Sequence, residues 1–155
     1  MERAVSLADA VRVRPMDLRD IPQVLAIQFA SPAAAQWESN AYENLSVGQF
    51  QVYVAEGDGN GVCGFVIARC AAEELEILNI AVAGACRRKG IGSALLDEVL
   101  RCATAKSAAT AFLEVRASNL AAAEFYARHG FQITGRRRNY YQSPTEDALL
   151  LSRPL

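Results

Sequence analysis

The run Arg87-Arg88-Lys89-Gly90-Ile91-Gly92-Ser93 constrains the fold of this chain most, because it joins the end of an apolar strand pattern to the start of a helix. Upstream, Leu78-Asn79-Ile80-Ala81-Val82 reads as a buried strand end. Downstream, Ser93-Ala94-Leu95-Leu96-Asp97-Glu98-Val99-Leu100 carries apolar residues at helical spacing. Gly90 and Gly92 therefore fall in the turn and the first helical positions. With no side chains there, an anion can approach the main chain, where unpaired N–H groups and the positive end of the helix dipole point at it. Arg87, Arg88 and Lys89 add positive charge beside it. Spacing excludes two other phosphate loops, since a dinucleotide fingerprint needs a further glycine where Leu95 stands and a P-loop needs an earlier glycine before Gly-Lys-Ser/Thr. A pyrophosphate suits this place; the competing reading is an ordinary strand-to-helix turn with a solvated basic edge.

The 155 residues are 52% hydrophobic and 21% charged, which suits one globular domain over residues 1–155 with a real core and is far from a disordered composition. A formal net charge of −1 gives no global attraction to nucleic acid, so the basic residues matter only where they cluster. No apolar run approaches a membrane span, and Met1-Glu2-Arg3-Ala4-Val5-Ser6-Leu7 lacks a long apolar segment after its charges; the expectation is a cytoplasmic protein with no membrane partner. The four cysteines, Cys63, Cys70, Cys86 and Cys102, show no Cys-x-x-Cys spacing, and together with a lone histidine they give no metal-ligand pattern. Cys63 and Cys70 stand an odd number of residues apart on one strand, which predicts opposite faces.

Read in order, alternation in Val11-Arg12-Val13-Arg14 predicts a first strand, and Asp17 an N-cap for an amphipathic helix through Ile21, Val24, Leu25 and Phe29. Ser31-Pro32 interrupts it, and Ala33 to Leu45 is read as a second, shorter helix containing Trp37. Strands over 49–56 and 62–71 flank a hairpin turn at Gly57-Asp58-Gly59-Asn60-Gly61, and a turn at Glu73-Glu74 leads into a strand over 75–82. The glycine loop and its helix follow, ending near Lys106-Ser107. Then come a strand over 111–115, a helix from Asn119 to His129 stopped by Gly130, and two strands joined by Gln142-Ser143-Pro144-Thr145. The result is an α+β fold on one mixed sheet.

Several residues carry chemistry. Glu114 sits in the apolar strand Phe112-Leu113-Glu114-Val115, so its carboxylate is either paired, with Arg116 as the near partner on the same face, or desolvated and suited to take a proton from an amine. Tyr126 reads as a core ring whose phenol could also give up a proton. Asn119 reads as an N-cap whose amide could reach a ligand beside the helix start. His129 is a favourable partner for its helix dipole more than a base, and no Ser-His-Asp set assembles. Arg136-Arg137-Arg138-Asn139-Tyr140-Tyr141 reads as a strand edge guarded by charge, or, through its tyrosines, as the side of a peptide groove.

Taken together, Asn79-Ile80-Ala81-Val82, Arg87 to Ser93, Leu113-Glu114-Val115-Arg116-Ala117-Ser118-Asn119 and Phe125-Tyr126-Ala127-Arg128-His129-Gly130-Phe131 resemble the GNAT family of acetyl-CoA-dependent N-acetyltransferases. The run Leu113 to Asn119 and the ending Arg137 to Tyr141 look like its ribosomal-protein-alanine N-acetyltransferase (RimI) group. The resemblance implies a mixed, mostly antiparallel sheet of about seven strands with helices on both faces. It implies acetyl-CoA as co-substrate, without a metal. Arg88 to Ser93, with Arg87 beside them, would bind the pyrophosphate; Ile80, Ala81 and Val82 would receive the pantetheine and acetyl group through their main chain; Asn119 would also contact the cofactor. Glu114 would accept the proton and Tyr126 would donate one to the CoA thiolate.

The acceptor so implied is a protein N-terminus, the N-terminal alanine of a small-subunit ribosomal protein, attacked directly in a ternary complex. Its α-amine, with a pKa of about 7.7–8.0, is easier to deprotonate than a lysine at about 10.4. Tyr140 and Tyr141 would line its groove and Trp37 its entrance. The chain departs from the group there, with Ser31-Pro32-Ala33-Ala34-Ala35-Gln36-Trp37 where a Phe-Pro-Trp-like segment is usual. A small-molecule amine acceptor and a non-catalytic CoA-sensing module remain the alternatives.

Overall fold

The alternating segment at the start of the described chain forms strand β1 (Arg12–Pro15), and Asp17 caps the 3-10 turn that leads into the first helix, whose own N-cap is Asp20, instead of capping the helix directly. The computed structural model describes residues 11–46, 49–57, 59 and 61–155, so the reading of Met1 to Leu7 lies outside the described residues. The Asp17 side chain accepts from the Arg19 N–H at 3.0 Å, while the Asp20 carboxylate accepts from the Asp17 N–H at 2.7 Å, a reciprocal capping box. This closes a 3-10 turn (Leu18–Asp20) from which helix α1 (Ile21–Phe29) continues. Arg14 of β1 grips the same Asp20 through both terminal guanidinium nitrogens, at 2.7 and 2.8 Å, and reaches Glu56 through Nε at 2.6 Å. That fork ties the first strand to the first helix.

The helix expected over 33–45 is shorter than its composition suggests. Only Ser39–Glu43 forms a helix, α2, followed by a 3-10 turn over Asn44–Ser46, and Trp37 stands outside both. Side chains take the main-chain groups a longer helix would use. The Gln36 amide donates to the carbonyls of Gln28, Ser31 and Ala34, and the buried Asn79 amide pairs with both the N–H (3.2 Å) and the C=O (2.9 Å) of Ala35.

Strands β2 (Phe50–Glu56), β3 (Val62–Ala71) and β4 (Glu74–Val82) form the expected antiparallel meander, with β1 added beside β2. The β3–β4 turn is made by Ala72 and Glu73, both at positive φ, one residue earlier than the sequence suggests. The expected turn over 57–61 includes Asp58 and Asn60, which lie outside the described residues. Helix α3 (Ile91–Ala105), strand β5 (Thr110–Arg116), helix α4 (Leu120–Arg128) and the hairpin β6 (Gln132–Tyr141) and β7 (Glu146–Pro154) complete the chain. Gly130, at φ +85°, ends α4 as predicted. The strands share one sheet in the order β1-β2-β3-β4-β5-β7-β6, in which only β4 and β5 are parallel.

Helices cover both faces. Ile21, Val24 and Ile27 of α1 and Tyr42 of α2 pack on Val54, Phe65 and Ile67, while Leu95, Leu96, Val99 and Ala103 of α3 pack on Val66, Leu75, Ala111 and Leu151 from the other side. The expectation of opposite faces for Cys63 and Cys70 is corrected: both pack into the cluster under α3. The β2–β3 register slips where the partner of Ala55 is Gly64 but that of Glu56 is Val62, so Cys63 is an extra residue and the alternation shifts.

Gly64 lets α3 approach the sheet. A Cβ there would lie 3.1 Å from the Ala81 carbonyl oxygen, Ile91 Cγ2 and Leu95 Cδ1. Gly64→Ala is therefore expected to destabilise the fold by about 1–3 kcal/mol, as overpacking does. A denaturant melt with unchanged slope and a lowered midpoint would show it.

Candidate active site

β4 and β5 pair only from Glu74–Glu76 against Thr110–Phe112. Just beyond, β4 bulges: Ile67 of β3 faces Asn79 and Ala68 faces Ile77, leaving Leu78 as an extra residue. The two strands then part, and Ile77 to Val82 and Leu113 to Arg116 become opposite walls of a cleft of about 870 Å³. That is within the usual range for cofactor and small-molecule sites, about 300–1,000 Å³. On the cleft side, the main chain over Ile80, Ala81 and Val82 has no strand partner among the described residues.

One end of the cleft is the glycine loop. Gly90 sits at φ +78° as the N-cap of α3, a conformation that favours glycine, and the Ala94 N–H is the first that the helix satisfies, bonding the Gly90 carbonyl at 3.0 Å. The N–H groups of Ile91, Gly92 and Ser93 have no acceptor among the described residues. Arg87, Arg88, Gly90, Ile91, Gly92 and Ser93 all line the cleft; Lys89, the third predicted cation, does not. The Arg87 guanidinium lies back on the Val82 carbonyl at 3.3 Å.

Glu114 projects from β5 into the middle of the cleft, its side chain 16% exposed. The partner foreseen from strand alternation, Arg116, is not the one it has. Arg137 of β6 pairs with Glu114 through Nε and Oε1 at 2.8 Å, and the same carboxylate pushes the Tyr140 phenol above its ordinary value. Arg116 instead bonds Glu146 at 3.2 Å and the carbonyls of Gln142 and Pro144, with its guanidinium 4.6 Å from the Tyr141 ring centroid. The basic run of β6 thus serves the site as well as guarding an edge strand.

Tyr126 is both core and wall. It is 4% exposed, packs against Phe125 and Phe131, and lines the cleft; its hydroxyl has no hydrogen-bond partner among the described residues, and burial pushes the phenol up. Asn119 caps α4 by accepting from the Ala122 N–H at 3.2 Å and also faces the cleft. Tyr141 lines it too, while Tyr140 reaches it only through Glu114. Trp37 does not itself line the cleft: its ring packs on Tyr42 at a centroid distance of 5.9 Å, while Pro32 to Gln36 do line it. What sequence reasoning missed is the pairing of Asn79 with Ala35, which holds that segment against β4. Its signal was a lone amide in an apolar strand end, since a buried amide needs partners.

The profile described as "Acetyltransferase (GNAT) domain" matches residues 48–133. The chain belongs to the GNAT acetyltransferase family. Among relatives of this GNAT chain is the [ribosomal protein bS18]-alanine N-acetyltransferase of Salmonella typhimurium, 35% identical, with 88% of this chain and 92% of that protein covered. The crystal structure of the Escherichia coli ribosomal-protein-S18-alanine N-acetyltransferase superposes with a TM-score of 0.81 at 28% identity over 93% of each chain. Ard1 from Thermoplasma volcanium superposes with a TM-score of 0.83 at 30% identity, over 94% of this chain and 98% of that one.

This GNAT chain is accordingly an acetyl-CoA-dependent acetyltransferase. The cleft fits that co-substrate on its own terms: free N–H groups and two arginines at one end suit a diphosphate, and the unpaired edge of β4 suits an amide-bearing arm. Among the described residues no cluster of metal-ligating side chains occurs, and no helix is long and apolar enough to cross a membrane.

Proposed function

We propose that the acetyl acceptor is the α-amine of a protein N-terminus, and specifically the N-terminal alanine of a small-subunit ribosomal protein. The observation that carries this reading is the charge pattern of the cleft. Its charged lining residues are Arg87, Arg88, Arg116, Arg128 and the single carboxylate Glu114, which Arg137 already neutralises. A polyamine or aminoglycoside would bring several ammonium groups to a cleft whose one carboxylate is already paired, whereas a chain terminus brings one amine. The Salmonella and Escherichia coli relatives, named for that alanine acceptor, support the same choice.

In this reading, the N–H groups of Ile91 to Ser93 with Arg87 and Arg88 hold the pyrophosphate, Asn119 touches the cofactor, and the free edge of Ile80, Ala81 and Val82 holds the pantetheine arm. Main-chain donors near Val82 polarise the thioester carbonyl as its oxygen gains charge. Acetyl-CoA supplies an acetyl group already activated as a thioester. Glu114, paired with Arg137, accepts the amine proton directly or through one water. About a tenth of a terminal amine is already neutral near pH 7, so a strong base is not required. Tyr126 gives its proton to the departing sulfur. Tyr141, held under Arg116, and Tyr140 flank the incoming peptide.

The test is release of CoA thiol from acetyl-CoA by purified protein, given an alanine-initiated ribosomal peptide or its Nα-blocked counterpart. Release that needs the peptide and vanishes on blocking supports the proposal; release with polyamines or aminoglycosides instead would transfer the site to small amines. Bound acetyl-CoA without release to any amine would leave a sensing module. Tyr126→Phe is expected to lower kcat by about 10²-fold, the low end for general acid catalysis, because burial has already weakened the phenol as an acid. Steady-state kinetics with KM for acetyl-CoA unchanged would bear this out.

A further inference from the structure

His129, at the C-terminal end of α4, does not simply cap its own helix. Its Nε2 lies 3.0 Å from Ser93 Oγ in the first turn of α3, and its Nδ1 faces Asp97 Oδ1 at 3.8 Å, one helical turn further along α3. The Phe125 ring packs tilted against the imidazole at a centroid distance of 4.8 Å, and Arg153 of β7 donates to the His129 carbonyl at 3.0 Å, holding the loop from behind. Arg128, the preceding residue, turns into the cleft instead. Asp97 is thus the charged side chain paired with the ring, and Arg153 touches only its main chain.

We propose that His129 is a positioning residue whose proton decides which way the Ser93 hydroxyl points, and so how well the loop binds a diphosphate. The inference rests on the reading of Ser93 as part of the pyrophosphate cradle. The Asp97 carboxylate, 3.8 Å from Nδ1, favours the neutral ring's proton on that nitrogen through its charge, which leaves Nε2 as an acceptor. The single Ser93 O–H is then occupied by His129, and the oxygen lone pairs are turned toward the anion. A proton on Nε2 reverses this bond: Nε2–H donates to Oγ, and the Ser93 O–H is released to donate to a phosphate oxygen. The same proton adds a positive charge behind the hydroxyl. No bond is made or broken apart from the transfer of one solvent proton to Nε2.

The probe is 3′-dephospho-CoA, which keeps the diphosphate and lacks the terminal phosphate that titrates near neutrality. Its Kd, measured by calorimetry between about pH 5.5 and pH 8.5, brackets the range in which histidine changes charge. For the unmodified protein, Kd is expected to rise about tenfold across that range, the size of one hydrogen bond to a charged group. His129→Gln places an amide where the imidazole stood, able to donate to Ser93 at any pH, and should bind tightly with a flat profile. Ser93→Ala should bind weakly with a flat profile. A pH slope that persists in His129→Gln, with Ser93→Ala still weakened, would overturn the proposal and leave the cradle reading standing. Ser93→Ala binding like the unmodified protein at every pH would remove Ser93 from the cradle itself.

Discussion

Replacing Glu114 with glutamine is expected to reduce kcat by about 10²–10⁴-fold, the usual cost of losing a positioned general base, while acetyl-CoA still binds. Glutamine fills the same volume and still accepts a hydrogen bond from Arg137 or Tyr140, but it cannot take a proton. Because Arg137 is 58% exposed and Tyr140 50% exposed, water replaces whatever they lose, and the melting temperature should move little. The informative readout is the split: kcat falls, KM for acetyl-CoA holds, and the residual rate rises with pH only as the acceptor amine itself deprotonates. An unchanged kcat would remove Glu114 from the base position and assign proton removal to solvent.

The second large effect concerns stability. Asp20 is buried, accepts two hydrogen bonds from Arg14 and one from the Asp17 N–H, and is held below the usual carboxylate range chiefly by the Arg14 guanidinium, against the opposing effect of burial. Asp20→Asn would remove the charge facing Arg14, leaving Glu56 as its remaining carboxylate, while the amide oxygen can still accept from the Asp17 N–H. The expected loss is about 2–3 kcal/mol, less than for a fully enclosed pair because Arg14 keeps that partner. For a chain of this size the melting temperature should fall by about 5–10 °C. The pH dependence has a definite sign. A depressed carboxyl stabilises the folded state above its unfolded value of about 3.9, and that contribution disappears as pH falls through the lower folded value. Acid titration of the unmodified protein should therefore show a loss of stability below about pH 4 that the Asp20→Asn variant lacks in part. Parallel curves for the two proteins would place the acid-labile groups elsewhere.

How much of the fold and site was legible beforehand depended on distance along the chain. The glycine loop, the Asn119 cap and the Gly130 stop are local arrangements, decided within a few residues, and the structure has all three where the sequence pointed. The partner of Glu114 was not local. Strand alternation correctly put Arg116 on the same face, but the C-terminal hairpin supplies Glu146 and two carbonyls that claim Arg116 and brings Arg137 across β7 in its place. The segment around Trp37 was not local either. A helical composition over 33–45 was overruled by side-chain amides from α1, β4 and the loop itself, and the half-buried ring lies against the cluster beneath α1. The bulge that moves Cys63 could not be read from alternation either, because it exists only in the pairing of β2 with β3.

The short β4–β5 ladder has a consequence beyond the site. With only Glu74–Glu76 pairing Thr110–Phe112, the sheet is two leaves bound along a narrow spine, and the cluster beneath α3 packs residues of both leaves together. Whatever fills the gap and pairs with the loose edge of β4 also fastens the leaves together. Occupancy at a hundred times Kd adds about 2.7 kcal/mol to the folded state, a sizeable fraction of what holds a small domain together. The acetyl donor is therefore part of the scaffold while it is bound, and a population of this protein deprived of it is also the population most open to proteolysis.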